Sequence, residues 1–228
     1  MRRIIAIDGP AGSGKSTTAK LVAEKLKFLY LDTGAMYRAI TLRALEKGID
    51  VRSEQRLKRL AQGSKIKFKH ENSQTKVLLD GEDVTLKIRG PEIDRKVSFV
   101  SKHKNLREAL VKLQKEIGKE NDLVAEGRDT TTVVFPQALV KIYMDCDLKK
   151  RAKRRLMEFK QRGICSTLEE QVKELERRDK IDSKRKTSPL LKDKDAFLID
   201  TTNLTIDQQV QKVLEIYKKR LKNYETSL

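Results

Sequence analysis

The 228-residue sequence has no tryptophan, only two cysteines and no long apolar run. Cys146 and Cys165 stand outside any CxxC or histidine-rich pattern, so neither a disulfide framework nor a zinc site is indicated. No apolar stretch approaches the roughly 20 residues that a membrane helix needs, and IIAI after the basic start is too short for a signal peptide. We therefore expect a soluble, unprocessed, cytoplasmic protein without a membrane partner.

Acidic and aromatic residues are also scarce relative to basic ones. The chain has 51 Lys and Arg against 33 Asp and Glu, which leaves a formal charge of +18. This excess favours an anionic partner, either a nucleic acid or a phosphorylated small molecule, although much of it lies in helical segments that can simply face solvent. Aromatic residues, at 5%, offer few platforms on which the bases of a single strand could stack.

Three glycines cluster near the start of the chain, directly after the apolar run IIAI. The segment GPAGSGKST has the glycine, four variable residues, glycine, lysine and serine of a P-loop. Glycine backbones can turn successive N–H groups toward one anion, Lys15 adds charge for the β- and γ-phosphates, and Ser16 offers Mg²⁺ a hydroxyl. The predicted ATP-binding residues are Gly9, Pro10, Ala11, Gly12, Ser13, Gly14, Lys15, Ser16 and Thr17.

An ordinary glycine-rich turn between a strand and a helix is the alternative interpretation of this segment. The flanking sequence favours the phosphate site, because a buried-strand pattern precedes the glycines and the amphipathic TTAKLVAEKLK follows them. The N-terminus of that helix would direct its positive dipole end toward the same phosphates. The segment therefore predicts a nucleoside-triphosphate site with Ser16 as its metal ligand.

Five apolar segments alternate with helical patterns: IIAI, FLYLD, DLVAE, ALVKIYMD and AFLID. This alternation predicts a three-layer α/β fold with a five-stranded parallel sheet between helices and the P-loop after the first strand. IKFKH and KVLLDG interrupt the order and predict a small antiparallel β element over about residues 65–86. The length fits one domain with insertions better than two separate domains.

Polar residues near the ends of two predicted strands are candidates for a second binding region. Arg128 and Asp129 directly follow the third strand, at the edge where open parallel sheets bind ligands. Thr33 and Arg38 lie near the start of the helix after the second strand, where a hydroxyl and a guanidinium could reach a phosphate. Taken alone, these two residues fit a helix N-cap and a surface charge better.

A third candidate set lies in the very polar segment EEQVKELERRDKIDSKRK, which predicts a helix. Charge runs of this kind usually face solvent. Arg178, Asp182 and Arg185 recur at i, i+4 and i+7, however, which would place them on one side of that helix. Guanidinium and carboxylate groups arranged in this way suit a ligand with phosphates and hydroxyls.

Several segments together resemble bacterial cytidylate kinase (CMP kinase), in order and along essentially the whole chain. They are IDGPAGSGKST, LDTGAMYR, LREAL, EGRDTTTVVFP, KIYMD and RRDKIDSKR…PL. The resemblance implies ATP-dependent transfer of a γ-phosphoryl group to CMP or dCMP, which gives ADP and the nucleoside diphosphate and requires Mg²⁺. ATP and CMP or dCMP would then be the partners, without an obligate nucleic acid, and we expect a monomer.

The resemblance also implies a core, a nucleoside-monophosphate (NMP) region and a mobile lid within one kinase domain, 1–228. We place the core at residues 1–32, 120–148 and 190–228, the NMP region at 33–119 and the lid at about 150–175. In the lid, Arg151, Arg154 or Arg155 would approach the triphosphate. Closure of such a lid excludes water and suppresses wasteful hydrolysis.

Nine residues match the family's CMP-binding positions. The implied phosphate contacts are Arg38, Arg128 and Arg185, the cytosine contacts are Ser98, Arg107 and Asp129, the sugar contacts are Arg178 and Asp182, and Thr33 lies near CMP. The implied catalytic residues are Lys15, Arg128, Arg185 and Asp129. A carboxylate, a hydroxyl and a guanidinium can together distinguish the amine of cytosine from the carbonyl of uracil.

Three positions depart from the family pattern. Thr131 stands where we expect a glycine, which predicts a stiffer or differently bent loop beyond Asp129. Ile181 and Ser183 stand where other members can carry arginine, which puts auxiliary phosphate contacts in doubt. The main contacts are unaffected by these changes.

Two alternative functions are compatible with a P-loop. A nucleic-acid-dependent ATPase would explain the charge, but the sequence lacks the apolar strand ending in Asp-Glu that helicase-type motors carry. A kinase for another nucleoside monophosphate is the nearer alternative. Ser98, Arg107 and Asp129 favour cytosine over other bases.

Overall fold

A computed structural model describes residues 2–71 and 74–226 as eight strands and eight α-helices. The strands are β1 (Ile4–Asp8), β2 (Leu29–Asp32), β3 (Ile66–Glu71), β4 (Gln74–Leu79), β5 (Glu82–Asp83), β6 (Leu123–Gly127), β7 (Val140–Asp145) and β8 (Phe197–Asp200). The helices are α1 (Lys15–Leu26), α2 (Thr33–Glu46), α3 (Glu54–Gly63), α4 (Pro91–Val100), α5 (Lys104–Glu120), α6 (Leu148–Gln161), α7 (Leu168–Lys184) and α8 (Ile206–Glu225).

The main sheet has five parallel strands in the order β2-β6-β1-β7-β8, as the sequence predicted. Alternate side chains of β1 face opposite layers. Ile5 and Ile7 pack toward α1 and α8, whereas Ala6 packs toward α2 and α5. Helices therefore cover both faces of the sheet, which is why its central strands read as continuous apolar runs.

The predicted antiparallel element is present as a second sheet, β3-β4-β5. Val77 and Leu79 of β4 pack with Ala35 and Ala39 of α2, so an apolar contact anchors the small sheet to this helix. The two-residue strand β5 was not predicted, because it is too short to show an alternating pattern. Residues 72 and 73 of the predicted polar turn lie outside the described residues.

Two details of the predicted helices were wrong. Asp32, rather than Thr33, caps α2, because its carboxylate accepts a hydrogen bond from the backbone N–H of Ala35 at 2.8 Å. The helix α7 ends at Lys184, so Arg185 lies just beyond it in extended backbone. The chain turns back there because the Leu190 N–H donates to the carbonyl of Asp182 at 2.8 Å.

The loop after β6 is tied to the end of β1 by one buried carboxylate. Asp8 accepts from the backbone N–H and the hydroxyl of Thr130 at 2.9 and 2.7 Å, and from those of Thr131 at 2.7 and 2.6 Å. Burial raises the pKa of Asp8, and these four bonds oppose that effect. Thr131 keeps a negative φ, so a threonine is accommodated where a glycine was expected, and its hydroxyl tethers the loop.

The pair α6 and α7 packs against the P-loop through a small apolar cluster and one buried arginine. Ala11, Ala152 and Leu175 form the cluster. Arg151 donates to the carbonyls of Ala11 and Cys146 at 3.1 and 3.0 Å. Among residues 2–71 and 74–226, no helix combines the length and the apolar character that crossing a bilayer requires.

Replacing Thr131 by valine removes a donor to a buried carboxylate while conserving side-chain shape. We expect Thr131→Val to lower the free energy of unfolding, measured by urea denaturation, by about 1.5–3 kcal/mol, since bonds to charged groups are in that range. Thr132→Val is the matched control, because the Thr132 hydroxyl is buried without a hydrogen-bond partner in the described part of the chain. Its effect should stay within about 0.5 kcal/mol, and equal losses in both variants would contradict the role of Thr131.

Candidate active site

A cavity of about 980 Å³ opens at the carboxyl ends of the parallel strands. Its walls come from the P-loop, α2, α4, the segment after β6, and the pair α6 and α7. Ligands of open α/β sheets bind at this edge, because the loops that follow the strands meet there.

The P-loop forms one end of the cavity. Ala11, Gly12, Gly14, Lys15, Ser16 and Thr17 line it, whereas Gly9, Pro10 and Ser13 lie behind the surface. Gly9 supports the loop from behind, because a Cβ there would lie 2.0 Å from the carbonyl oxygen of Met144. The N-terminus of α1 follows at Gly14, which caps the helix with φ 94°, so free N–H groups face the cavity.

Lys15 is buried beneath this loop, and its ammonium donates to the carbonyl of Pro10 at 2.8 Å. Burial lowers the pKa of Lys15 to about 7, and the nearby Arg128 guanidinium acts in the same direction. An anion placed here would favour the charged ammonium. The group is therefore poised to bind phosphate.

Two carboxylates beside the P-loop were missed by the sequence analysis. Glu126, at the end of β6, accepts from the Ser16 hydroxyl at 2.6 Å. Asp32, at the end of β2, forms an ion pair with Arg89 at 2.5 Å. Burial raises the pKa of Glu126, and Asp32 adds to that effect. The sequence could have indicated both residues, because each is an acidic residue at the carboxyl end of a buried strand.

Ser16 and Glu126 form a donor set that suits Mg²⁺. Their oxygens are adjacent, and hydroxyl and carboxylate oxygens are the hard ligands that this ion prefers. Mg²⁺ usually takes only one or two protein carboxylates beside water and substrate phosphates. Among the described residues, no group of three or more acidic, histidine or cysteine side chains is placed to hold a metal ion by itself.

The nine residues predicted for CMP share this cavity with the P-loop. All of them line its surface: Thr33, Arg38, Ser98, Arg107, Arg128, Asp129, Arg178, Asp182 and Arg185. They come from five separate segments of the chain. The structure thus brings together a set that the sequence shows only as scattered positions.

Arg107 and Asp129 form a deeply buried ion pair, with side chains 2% and 5% exposed. Arg107 also donates to the carbonyl of Ser101 at 2.9 Å, which fixes the guanidinium plane. Its cationic centre lies 5.2 Å from the ring centroid of Tyr37, a cavity residue that was not predicted. The Tyr37 hydroxyl is buried without a described hydrogen-bond partner.

Asp182 holds a second group of arginines. Its carboxylate accepts from Nε of Arg128 at 2.9 Å, and the Arg185 guanidinium lies 3.8 Å away. Burial raises the pKa of Asp182, but Arg128, Arg178 and Arg185 outweigh that effect and leave it below its usual range. Although Arg185 is outside the helix, its side chain still enters the cavity and donates to the Ser188 carbonyl at 2.5 Å.

Arg38 is buried, so the reading of this residue as a surface charge was wrong. Its guanidinium donates to the carbonyl of Ile88 at 3.2 Å and to Asp94 at 2.6 Å. Arg178 faces the same region. Burial and the charge of Arg38 lower the pKa of Arg178 to about 10, and its Nε has no hydrogen-bond partner among the described residues. A buried arginine such as Arg178, whose charge is not fully balanced by nearby carboxylates, favours an anionic ligand.

The three arginines proposed for the lid have different positions. Arg151 does not line the cavity, and it forms an ion pair with Asp179 at 2.7 Å. Arg154 lines the cavity near the P-loop and donates to the carbonyl of Thr201 at 2.7 Å. Arg155 lines it near α4. Only the last two can therefore reach a ligand in this arrangement.

A family model described as Cytidylate kinase matches residues 5–219 of this chain. The cytidylate kinase of Bacillus cytotoxicus is 45% identical over 217 residues, which cover 95% of this chain and 96% of that protein. The cytidylate kinase of Lactobacillus gasseri is 47% identical over 219 residues, which cover 96% of this chain and 95% of that protein.

A crystal structure of an uncharacterized protein from Eubacterium ventriosum has the same fold. It superposes with a TM-score of 0.54 at 12% identity, covering 95% of this chain and 99% of that one. At this identity the similarity concerns the fold alone.

Binding of a nucleoside triphosphate should be accompanied by proton uptake at Lys15. With a pKa of about 7, the side chain is mostly neutral at pH 8, and phosphate charge would restore its proton. We expect calorimetry of MgATP binding, in buffers of different ionisation enthalpy, to show uptake approaching about one proton at pH 8 and almost none below pH 6. Lys20→Gln, at the cavity rim, should retain this uptake. Equal proton uptake at both pH values would contradict the prediction.

Proposed function

The chain belongs to the cytidylate kinase family, and we propose that it transfers the γ-phosphoryl group of ATP to CMP and dCMP, releasing ADP and the corresponding diphosphate. One observation carries the proposal. The P-loop lysine, the buried Arg107–Asp129 pair and a group of arginines all line the same cavity. A phosphoryl donor and a cytosine nucleotide can therefore meet there.

At the donor end, the P-loop N–H groups and Lys15 would hold the β- and γ-phosphates of ATP. Arg154 and Arg155 would add charge from the lid side. Ser16 and Glu126 would hold Mg²⁺, which neutralises phosphate charge when it is bound. Lys15 and the arginines act by position and charge, since phosphoryl transfer needs little covalent help from the protein.

At the acceptor end, Asp129 would accept a hydrogen bond from the exocyclic amine of cytosine, while Arg107 and Ser98 would donate to its ring acceptors. Uracil has a carbonyl in place of that amine. The uracil carbonyl would face the Asp129 carboxylate, and no hydrogen would lie between these two acceptor oxygens. Selection for cytosine thus follows from the type of group at this position.

Between the two ends, Arg38, Arg128 and Arg185 would surround the acceptor phosphate. Their guanidinium groups are held by protein acceptors before substrate arrives, so little reorganisation is needed at the moment of transfer. Asp182 would accept from a ribose hydroxyl with the carboxylate oxygen that faces away from Arg128.

We further propose a division into a core, an NMP region that includes the small sheet, and a lid formed by the start of α6 through the first half of α7. The +18 charge is then used partly in the cavity, where arginines cluster. A nucleic-acid-dependent ATPase is not favoured, because the family model and the curated relatives are cytidylate kinases. We propose that the protein acts as a cytoplasmic monomer.

ADP formation should be measured with MgATP and each of CMP, dCMP, UMP, AMP, GMP and TMP, with a nucleic-acid-only control. We expect the highest kcat/KM for CMP and dCMP, because the exocyclic amine of cytosine would donate to Asp129, whereas uracil and thymine carry a carbonyl at that position. Asp129→Asn should reduce the preference for CMP over UMP by about tenfold or more, as loss of a hydrogen bond to a charged group predicts. Turnover only with nucleic acid would contradict the proposal.

Asp182→Asn should affect CMP more than dCMP. Both substrates lose the ion pair that anchors Arg128. Only CMP also loses the charge-assisted hydrogen bond that its 2′-hydroxyl would donate to the Asp182 carboxylate. We expect the CMP to dCMP ratio of kcat/KM to fall by roughly tenfold. Glu176→Gln, an exposed residue of the same helix, is the control and should leave the ratio unchanged. Equal losses for both substrates would remove the ribose assignment.

A further inference from the structure

Asp94 lies on α4, one turn before Ser98, between two arginines from different parts of the molecule. One carboxylate oxygen accepts from Arg38 on α2 at 2.6 Å, and the other accepts from Arg155 on α6 at 2.6 Å. The three side chains are 13%, 10% and 18% exposed, so water screens these contacts little. One carboxylate therefore joins the acceptor site to the lid.

Two other contacts join the lid side to α4 or to the segment just before it, and neither involves Arg38. Arg162 donates to the carbonyl of Arg89 at 3.2 Å, and the Arg177 guanidinium lies 5.5 Å from the ring centroid of Phe99. Both are more exposed contacts that fasten one surface to another. The Asp94 contact differs from these two because Asp94 binds Arg38, one of the arginines assigned above to the CMP phosphate.

Both arginines keep donors for substrate while Asp94 holds them. Arg38 uses one terminal nitrogen for Ile88 and the other for Asp94, and Arg155 uses one for Glu158 and the other for Asp94. A guanidinium has five N–H groups, so each retains three. Asp94 can thus orient both cations without occupying all of their hydrogen-bonding capacity.

Charge explains why the link needs a carboxylate. Arg38, Arg155 and Arg178 are like charges on the two sides of the cavity, and without Asp94 they would repel α6 and α7 from α2. Burial raises the pKa of Asp94, but Arg38 and Arg155 outweigh it and hold the pKa below its usual range. The group is therefore an anion at neutral pH.

We propose that Asp94 is a positioning residue that couples the acceptor site to the lid, so that CMP and ATP bind with positive cooperativity. The inference rests on the proposed function, because it takes Arg38 as a CMP contact and Arg155 as a lid contact to ATP. CMP phosphate bound to Arg38 stabilises the contacts that join Arg38, Asp94 and Arg155, and Asp94 thereby holds Arg155 toward the triphosphate. By linkage, ATP raises the affinity for CMP by the same factor.

The test is the dissociation constant of Mg²⁺-β,γ-methylene-ATP, measured calorimetrically with and without saturating CMP. In the wild-type protein CMP should tighten binding about tenfold, within the usual range for coupled sites. In Asp94→Asn the factor should fall to about one, while each nucleotide alone binds within about threefold of wild type. Glu92→Gln is the matched control, since Glu92 on the same helix pairs with Lys96 at 3.0 Å in an exposed contact, and it should keep the tenfold factor.

Arg155→Gln breaks the same link from the lid side and provides a second variant if Asp94→Asn fails to fold. It should also reduce the factor to about one, and the double variant should show no further loss. A wild-type factor of one, or a tenfold factor retained in either variant, would overturn the proposal. CMP that fails to bind the wild type would instead refute the proposed function, so the two failures are distinguishable.

Discussion

The cavity depends on buried carboxylates that hold arginines in fixed directions. Asp182 anchors Arg128 in a largely buried contact, and Asp129 anchors Arg107 in a contact almost wholly removed from water. Burying either charge alone would be costly, but pairing offsets the desolvation cost of both charges. The remaining guanidinium donors are directed into the cavity. Catalysis of phosphoryl transfer consists mainly of positioned positive charge, so under the proposed function these ion pairs would supply most of what the reaction requires of the protein.

The parallel sheet is what brings these pairs together. The strands β1 and β6 are neighbours, so the P-loop after one and the Arg128 segment after the other share an edge. Asp8 reinforces this arrangement by accepting four hydrogen bonds from the loop beyond β6. A change in that buried contact would move the P-loop relative to the acceptor site, although Asp8 itself does not line the cavity.

Short-range signals in the sequence were sufficient for much of the fold. The apolar runs, the P-loop pattern and the alternating hairpin segments predicted both sheets, because strand and turn preferences act over a few residues. They failed for β5, which is too short, and for Arg38, whose burial depends on Ile88 and Asp94 about 50 residues away. Glu126 was overlooked although it ends a buried strand beside the P-loop serine.

Local sequence is enough to specify the phosphate-binding loop, the parallel sheet and the motifs that resemble cytidylate kinases. Only the folded chain decides which carboxylate meets which arginine. Asp182 and Arg128 are 54 positions apart, and Asp94 and Arg155 are 61 apart, so no periodicity links them. Ion pairing depends on distance and burial in three dimensions, whereas sequence patterns report backbone geometry over a few turns. The proposed coupling between the acceptor site and the lid therefore rests on the tertiary structure.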